Sequence, residues 1–344
     1  MTAAATSTLI PEVLKEYGSL THTALMSYLP AREPRRYLYD ILADYPSRSG
    51  KMMRPSLCIA TARAYGANLD DALGTAVAIE LLHNALLIHD DIEDESEERR
   101  GKPALHQLHG VPLAINAGDA LSLLSLRPLV ENLDVLGTRV GVRILDETQR
   151  MAAETAEGQA MELGWRQDNI EGLGDEDYLV MVLKKTCWLA TIYPIRVGAL
   201  IGTRDQTDLE PLIRFGFFLG AAFQIQDDLL NLVADEAYGK ELNGDILEGK
   251  RTIMLLHLLQ HATAIQREQI FRFLGTPREA RSEQQVSWIR QLMDHYGSID
   301  YAQQIAHGLA GAARHEYSLI FANLPDSRDK RFIEGLVTWV FERI

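Results

Sequence analysis

The stretch Val77-Ala78-Ile79-Glu80-Leu81-Leu82-His83-Asn84-Ala85-Leu86-Leu87-Ile88-His89-Asp90-Asp91-Ile92-Glu93-Asp94 decides the fold. It lacks glycine and proline, and its dense apolar residues predict a buried helix. It ends in carboxylates, which are costly to bury among apolar turns unless they are paired or bind a metal. Asp90 and Asp94 are four apart, so a helix puts them on one face, one turn apart. Two carboxylates so placed repel each other unless a cation lies between them. Magnesium suits that position, because it takes oxygen ligands, keeps several waters and bridges one or two carboxylates to substrate phosphates. His83, seven residues before Asp90, shares the face two turns back.

A second cluster repeats the pattern: Gln224-Ile225-Gln226-Asp227-Asp228-Leu229-Leu230-Asn231, inside the apolar run 211–233. Gln224, Asp227, Asp228 and Asn231 fall at i, i+3, i+4 and i+7, again one helix face. Residues 178–200, 251–261 and 298–324 also read as helices. Strand signals are scarce; Asn-Gly occurs once, at Asn243-Gly244, without alternating flanks. Breaks gather at 46–55, 95–112, 168–177, 202–207 and 234–251, and none is long enough for a linker. The expectation is an all-α chain in which residues 1–344 form one domain and residues 1–30 are an N-terminal helical extension.

The 344 residues suffice for a sizeable core, and 47% hydrophobic with 24% charged residues is ordinary for a globular chain. Acidic residues outnumber basic ones 48 to 34, for a net charge of −14, which disfavours general binding to nucleic acid or an anionic membrane. The two cysteines, Cys58 and Cys187, lack CxxC spacing, so a disulfide framework or zinc site is not expected and a reducing cytoplasm fits. The N-terminus does not resemble a signal peptide, and no uninterrupted apolar run reaches the ~18 residues of a membrane span.

Basic residues gather near both acidic clusters. Gly50-Lys51-Met52-Met53-Arg54-Pro55 puts two cations three apart at a loop-to-helix junction, where anions are favoured. Arg99 and Arg100 follow the first cluster within one short loop. Lys184-Lys185-Thr186 interrupts an apolar helix, and Lys240 and Lys250 flank Gly244-Asp245. Together these residues match a site for two phosphate-bearing ligands, one held through metal and the other by direct cationic contact.

Five segments in this order make the chain resemble the trans-polyprenyl diphosphate synthases, the family of farnesyl and geranylgeranyl diphosphate synthases. They are Gly50-Lys51-x-x-Arg54-Pro55; Glu80-Leu81-Leu82-His83 running into His89-Asp90-Asp91-x-x-Asp94; Arg99-Arg100-Gly101-x-Pro103-x-x-His106; Lys185-Thr186; and Phe223-Gln224-x-x-Asp227-Asp228 with Gly239-Lys240 and Gly249-Lys250-Arg251-Thr252. The resemblance implies a bundle of long helices around a central cavity, usually a homodimer. It implies that Asp90, Asp94, Asp227 and Asp228 bind magnesium, three ions in all. Arg99, Lys185, Thr186, Gln224, Lys240 and Lys250 would contact an allylic diphosphate. Lys51, Arg54, His83 and Arg100 would bind isopentenyl diphosphate. Head-to-tail prenyl transfer then follows, with Thr186 and Gln224 offering dipoles to the cation.

One departure stands out: Asn231 occupies a position where many members have Asp. Asn carries no charge, though its carbonyl can still accept a hydrogen bond. Product length should be set just over one turn before Asp90, at Ala85 and Leu86. No Phe, Tyr or Trp lies between Leu81 and Asp94, so the expected product is geranylgeranyl diphosphate, with a longer polyprenyl diphosphate (C25 or more) as the alternative. A terpene cyclase would not need Lys51, Arg54, His83 and Arg100 together, and a non-catalytic partner subunit would be expected to lose an acidic cluster.

Overall fold

A computed structural model describes residues 3–48, 50–233 and 243–342. The chain is all-α, as expected. Its longest helices are Ala3–Tyr28, Leu69–Glu93, Thr138–Gln167, Pro211–Val233 and Ser298–Ile320. Among the described residues the only β-ladder is a two-residue antiparallel hairpin, Glu98–Arg99 against Lys102–Pro103.

The Leu69–Glu93 helix organises the bundle. Its start is fixed locally: the Asp71 carboxylate accepts the Asn68 backbone N–H at 3.2 Å, and acids in the first turn suit the helix dipole. Its side chains then divide into three stripes. Ala72, Ala76 and Ile79 join a large core that runs from Ile10 to Val340. Val77, Leu81, Ala85 and Ile88 join a smaller core with Leu25, Tyr45, Leu105 and Leu121. Leu82, His83, Leu86 and Asp90 line a cavity. The second stripe advances by three or four residues per step, and the third by four through Leu82, Leu86 and Asp90 with His83 beside Leu82, so each keeps one face of the helix.

Two sequence expectations change here. Ala85 is fully buried in the smaller core and is not part of the cavity wall, whereas Leu86 is. The N-terminal helix is not an appendage. Ile10, Val13 and Tyr17 enter the large core, and Leu25 enters the smaller one. The Tyr17 hydroxyl donates to Asp329, which also pairs with Arg63 at 3.0 Å, so the two ends of the chain meet.

The segment read as one helix over 178–200 is three elements. Asp175–Val182 is α-helical, Leu183–Ile192 is π-helical, and Tyr193–Thr203 is α-helical again. A π segment adds residues per turn, which re-aims the side chains within it and is frequent at functional sites. Lys184, Lys185 and Thr186 lie on it. It crosses the Thr138–Gln167 helix at Gly158, where a Cβ would sit 2.1 Å from the Lys185 nitrogen. The bare glycine therefore lets the two backbones touch and sets the depth of Lys185.

By length and composition two stretches could cross a membrane, Leu69–Glu93 and Val111–Val135. The first is mostly buried inside the bundle, while the second leaves several apolar side chains exposed.

Gly158→Ala should push these helices apart. A loss of about 1–3 kcal/mol is expected, as for an overpacked core, with a larger relative loss of activity. Urea denaturation alongside a turnover assay checks it.

Candidate active site

The stripes of several helices enclose one cavity of about 1050 Å³, at the upper end of the ~300–1,000 Å³ usual for ligand pockets. Seven Lys and Arg side chains and seven Asp and Glu side chains line it. The wall is thus balanced in charge although the whole chain carries −14. Lys51, Arg54, His83, Leu86, Asp90, Arg99, Arg100, Lys185, Thr186, Gln224, Asp227, Asp228 and Lys250 all contribute to it. Lys240 lies outside the described residues.

At the first acidic cluster each carboxylate meets a cation. Lys185 Nζ lies 3.1 Å from Asp90, and Arg99 Nη2 lies 3.7 Å from it. Burial alone would raise the Asp90 pKa, yet Lys185, Lys250 and Arg99 hold the carboxyl well below the usual carboxylate range. Asp94 caps the helix and is almost fully buried, set back from the cavity wall. Arg166 donates to its Oδ1, and Lys250 approaches Oδ2 at 2.8 Å. Lys250 is shared with Glu248 at 2.7 Å, and Lys185 with Glu162. Burial would lower both lysines, but these acids keep them above their ordinary pKa.

Asp91, between the two, faces the other way. It is buried and accepts from Arg99 Nε at 2.9 Å and from the Tyr45 hydroxyl. It therefore orients Arg99.

The second cluster forms a chain of hydrogen bonds. Thr186 Oγ1 donates to Gln224 Oε1 at 3.0 Å, and Gln224 Nε2 donates to Asp228 Oδ1 at 2.7 Å. Tyr178 donates to the other Asp228 oxygen at 2.8 Å. Burial and the nearby Asp245 push Asp228 up to about 7, against these two hydrogen bonds. Asn231 is buried, and its Oδ1 accepts the Asp245 backbone N–H at 3.0 Å.

Two turns before Asp90 on the same helix, His83 Nδ1 lies 3.3 Å from Glu80. Glu80 also accepts from Asn84 at 3.0 Å. Burial and then Arg54 push the His83 imidazole down to about 4, against the pull of Glu80, so it is neutral at pH 7. Arg100 donates to the carbonyls of Tyr45 at 3.2 Å and Arg48 at 3.0 Å.

The fold and site match known proteins. A family model described as polyprenyl synthetase matches residues 35–293. The chain belongs to that family. A short chain isoprenyl diphosphate synthase from Methanothermobacter thermautotrophicus is 36% identical over 86% of this chain and 88% of its own length. Geranylgeranyl pyrophosphate synthetase from Pyrococcus horikoshii superposes with a TM-score of 0.83 at 31% identity, covering 98% of this chain and 99% of that one. A polyprenyl synthase from Caulobacter crescentus, complexed with calcium and isoprenyl diphosphate, superposes with a TM-score of 0.84 at 25% identity, covering 97% of each chain.

The compact motifs leave out the Thr138–Gln167 helix, which also supplies polar residues to the site. Gln159 donates to Glu93 at 2.5 Å and to Asp90 at 3.4 Å, while Glu162 holds Lys185 and Arg166 holds Asp94. The signal was present: Thr155, Gln159, Glu162 and Arg166 are spaced four, three and four apart, a polar stripe on one face.

The donor set suits a hard divalent cation. Among the described residues no three His, Cys, Asp or Glu side chains converge to hold an ion unaided. Magnesium does not require such a cage, since one or two carboxylates plus substrate phosphates suffice. Asp94 Oδ2 is buried and already faces a cation, the Lys250 ammonium at 2.8 Å, so its surroundings suit positive charge.

His83 carries a pH dependence. Its folded pKa of about 4 lies below its unfolded value of 6.5. Its contribution to stability is therefore complete above pH 6.5 and is lost as pH falls toward 4. By pH 5 the loss should reach about 2 kcal/mol. Urea denaturation at pH 7 and pH 5 should show a smaller drop in His83→Gln than in the parent; equal drops would refute this placement.

Proposed function

We propose that this enzyme joins isopentenyl diphosphate head-to-tail to an allylic diphosphate, and that its main product is geranylgeranyl diphosphate. One observation carries the reading. Two cationic groups line a single cavity: Arg54 and Arg100 close to the neutral His83 and Glu80, with Lys51 also on the wall, and Arg99, Lys185 and Lys250 beside Asp90. A cyclase acts on one diphosphate and would need only the second group. The chain works as one unit, and both acidic clusters it retains argue against a non-catalytic partner.

Asp90, Asp94, Asp227 and Asp228 would hold magnesium, two ions at the first cluster and one at the second. Magnesium bound there lowers the charge on the allylic diphosphate and so eases its departure. Arg99, Lys185 and Lys250 are already aimed at the same region by their acidic partners, so little reorganisation is required when the leaving group gains charge. Lys240 would add to this group. The allylic C–O bond breaks with its electron pair passing to the diphosphate. The double bond of isopentenyl diphosphate then attacks the allyl cation, and a proton leaves to the released diphosphate. Thr186 and Gln224 present oxygen dipoles at this wall. Leu82, Leu86, Met181, Leu189 and Phe223 keep water from the cation.

A homodimer fits the surface. Leu108, Val111, Ile115, Leu123, Leu126 and Val130 are exposed along residues 105–135, apolar surface that a second copy of the chain could cover. Both cysteines are free and buried, in keeping with a cytoplasmic enzyme.

Incubation with magnesium, isopentenyl diphosphate and each allylic primer, read by product chromatography, tests the reading. Geranylgeranyl diphosphate is expected; farnesyl diphosphate as sole end product would refute the length assignment, and no product would refute the activity. The stripes of the Leu69–Glu93 helix sharpen the test. Leu86→Phe, on the cavity wall, should shorten the product. Ala85→Phe, in the smaller core, should instead cost about 1–3 kcal/mol of stability without shortening it.

A further inference from the structure

We infer that Arg48 is a positioning residue that fixes the two diphosphate-binding groups relative to each other. The inference rests on the prenyl-transfer reading of the site. Arg48 is buried, yet it is not part of the cavity wall. Its guanidinium donates to three main-chain carbonyls of one hairpin: Arg99 at 2.8 Å, Pro103 at 2.9 Å and Lys102 at 3.4 Å. Its Nε pairs with Asp44 at 2.6 Å, and the group lies over the Tyr45 ring, 4.5 Å from its centre. The planar fork of five N–H donors can span such a set, which a lysine ammonium cannot.

The hairpin requires such a support. Its ladder holds two residue pairs, and an isolated two-stranded hairpin is marginal in water. It also carries Arg100 at φ +54, a backbone region uncommon for residues other than glycine. Both substrate-facing arginines, Arg99 and Arg100, sit on or beside its turn.

The segment around Arg48 is held in return. Arg100 donates to the carbonyls of Tyr45 and Arg48 themselves. The Tyr45 hydroxyl donates to Asp91, the carboxylate that orients Arg99, and accepts the Leu105 N–H at 3.2 Å. Gly50 adds no side chain, and a Cβ there would sit 2.9 Å from Arg100 Nη2. The chain then runs directly into Lys51 and Arg54. Thus the segment bearing two cations of the isopentenyl group is locked to the hairpin bearing Arg100 of that group and Arg99 of the other. The lock is centred on one guanidinium that lies off the cavity wall.

Arg48→Lys keeps the positive charge and tests the fork alone. The Michaelis constants for both substrates should rise about tenfold, the loss expected for weakened charged hydrogen bonds, with kcat little changed. A purely structural role predicts the opposite split: a lower melting temperature and lower kcat at unchanged Michaelis constants. That result would overturn the inference. If Arg48 acts through Arg100, adding Arg48→Lys to Arg100→Gln should not raise the isopentenyl diphosphate constant further; multiplying effects would also overturn it. Calorimetric titration of the parent and Arg48→Lys with inorganic diphosphate and magnesium supplies a readout independent of turnover. Weaker binding by the variant supports the inference and equal binding sinks it. A parent enzyme that makes no prenyl product would refute the reaction assigned to the site, while this titration still judges Arg48.

Discussion

Everything in this molecule is arranged around charge placed inside an apolar bundle. Asp90 and Asp94 could not stay ionised there alone, because desolvation favours the neutral acid. Lys185, Lys250, Arg99 and Arg166 keep them charged. Those cations need counter-charges of their own, supplied by Glu162 and Glu248. The result is a network in which every member depends on its neighbours, and removing one partner of a buried pair costs more than the pair contributes. Such a network is poorly suited to stability alone. It suits a ligand that is itself dense in charge, since cations already gathered and oriented can exchange carboxylate oxygens for phosphate oxygens.

That requirement explains why one helix can serve three surroundings. Leu69–Glu93 seals the large core with small residues, packs the smaller core with Val77, Leu81 and Ile88, and turns Leu82, Leu86 and Asp90 toward the cavity. On the proposed reading the apolar part of that third stripe would border the tail of the ligand, and its acidic end the diphosphate head. The stripe itself passes from apolar to acidic along about two turns of one helix.

Much of this was legible in the chain. The all-α fold followed from long apolar runs without strand alternation. Many cavity-lining charged and polar residues stand in compact motifs, so Asp90, Lys185, Gln224 and Asp227 could be named directly. What escaped was spread out. Gln159, Glu162 and Arg166 occupy more than two turns of one helix with ordinary residues between them. The π-helical segment has no sequence period of its own. Ala85 was assigned to the cavity because a distance of just over one turn does not choose between neighbours. Helical phase does choose: at about 100° per residue, Leu86 lies about 40° from the direction of Asp90 and Ala85 about 140° away. Only the packing of the other helices shows which of those directions is hollow.

The neutral Asn231 follows from the same electrostatics. Asp227, Asp228 and Asp245 already line one side of the cavity, and Asp228 is pushed up to about 7 by burial and then by Asp245. A further carboxylate at 231 would raise it again, leaving more of the site protonated at neutral pH and less able to hold a cation. The amide avoids that. Its Oδ1 still accepts the Asp245 N–H, and the main-chain carbonyl of Asn231 accepts the Asn243 N–H at 2.9 Å. The residue therefore anchors the turn that leads to Lys250 without adding charge. On this view the departure from the family pattern preserves the second acidic cluster rather than weakening it, because the cluster's strength depends on how many of its carboxylates can remain ionised together.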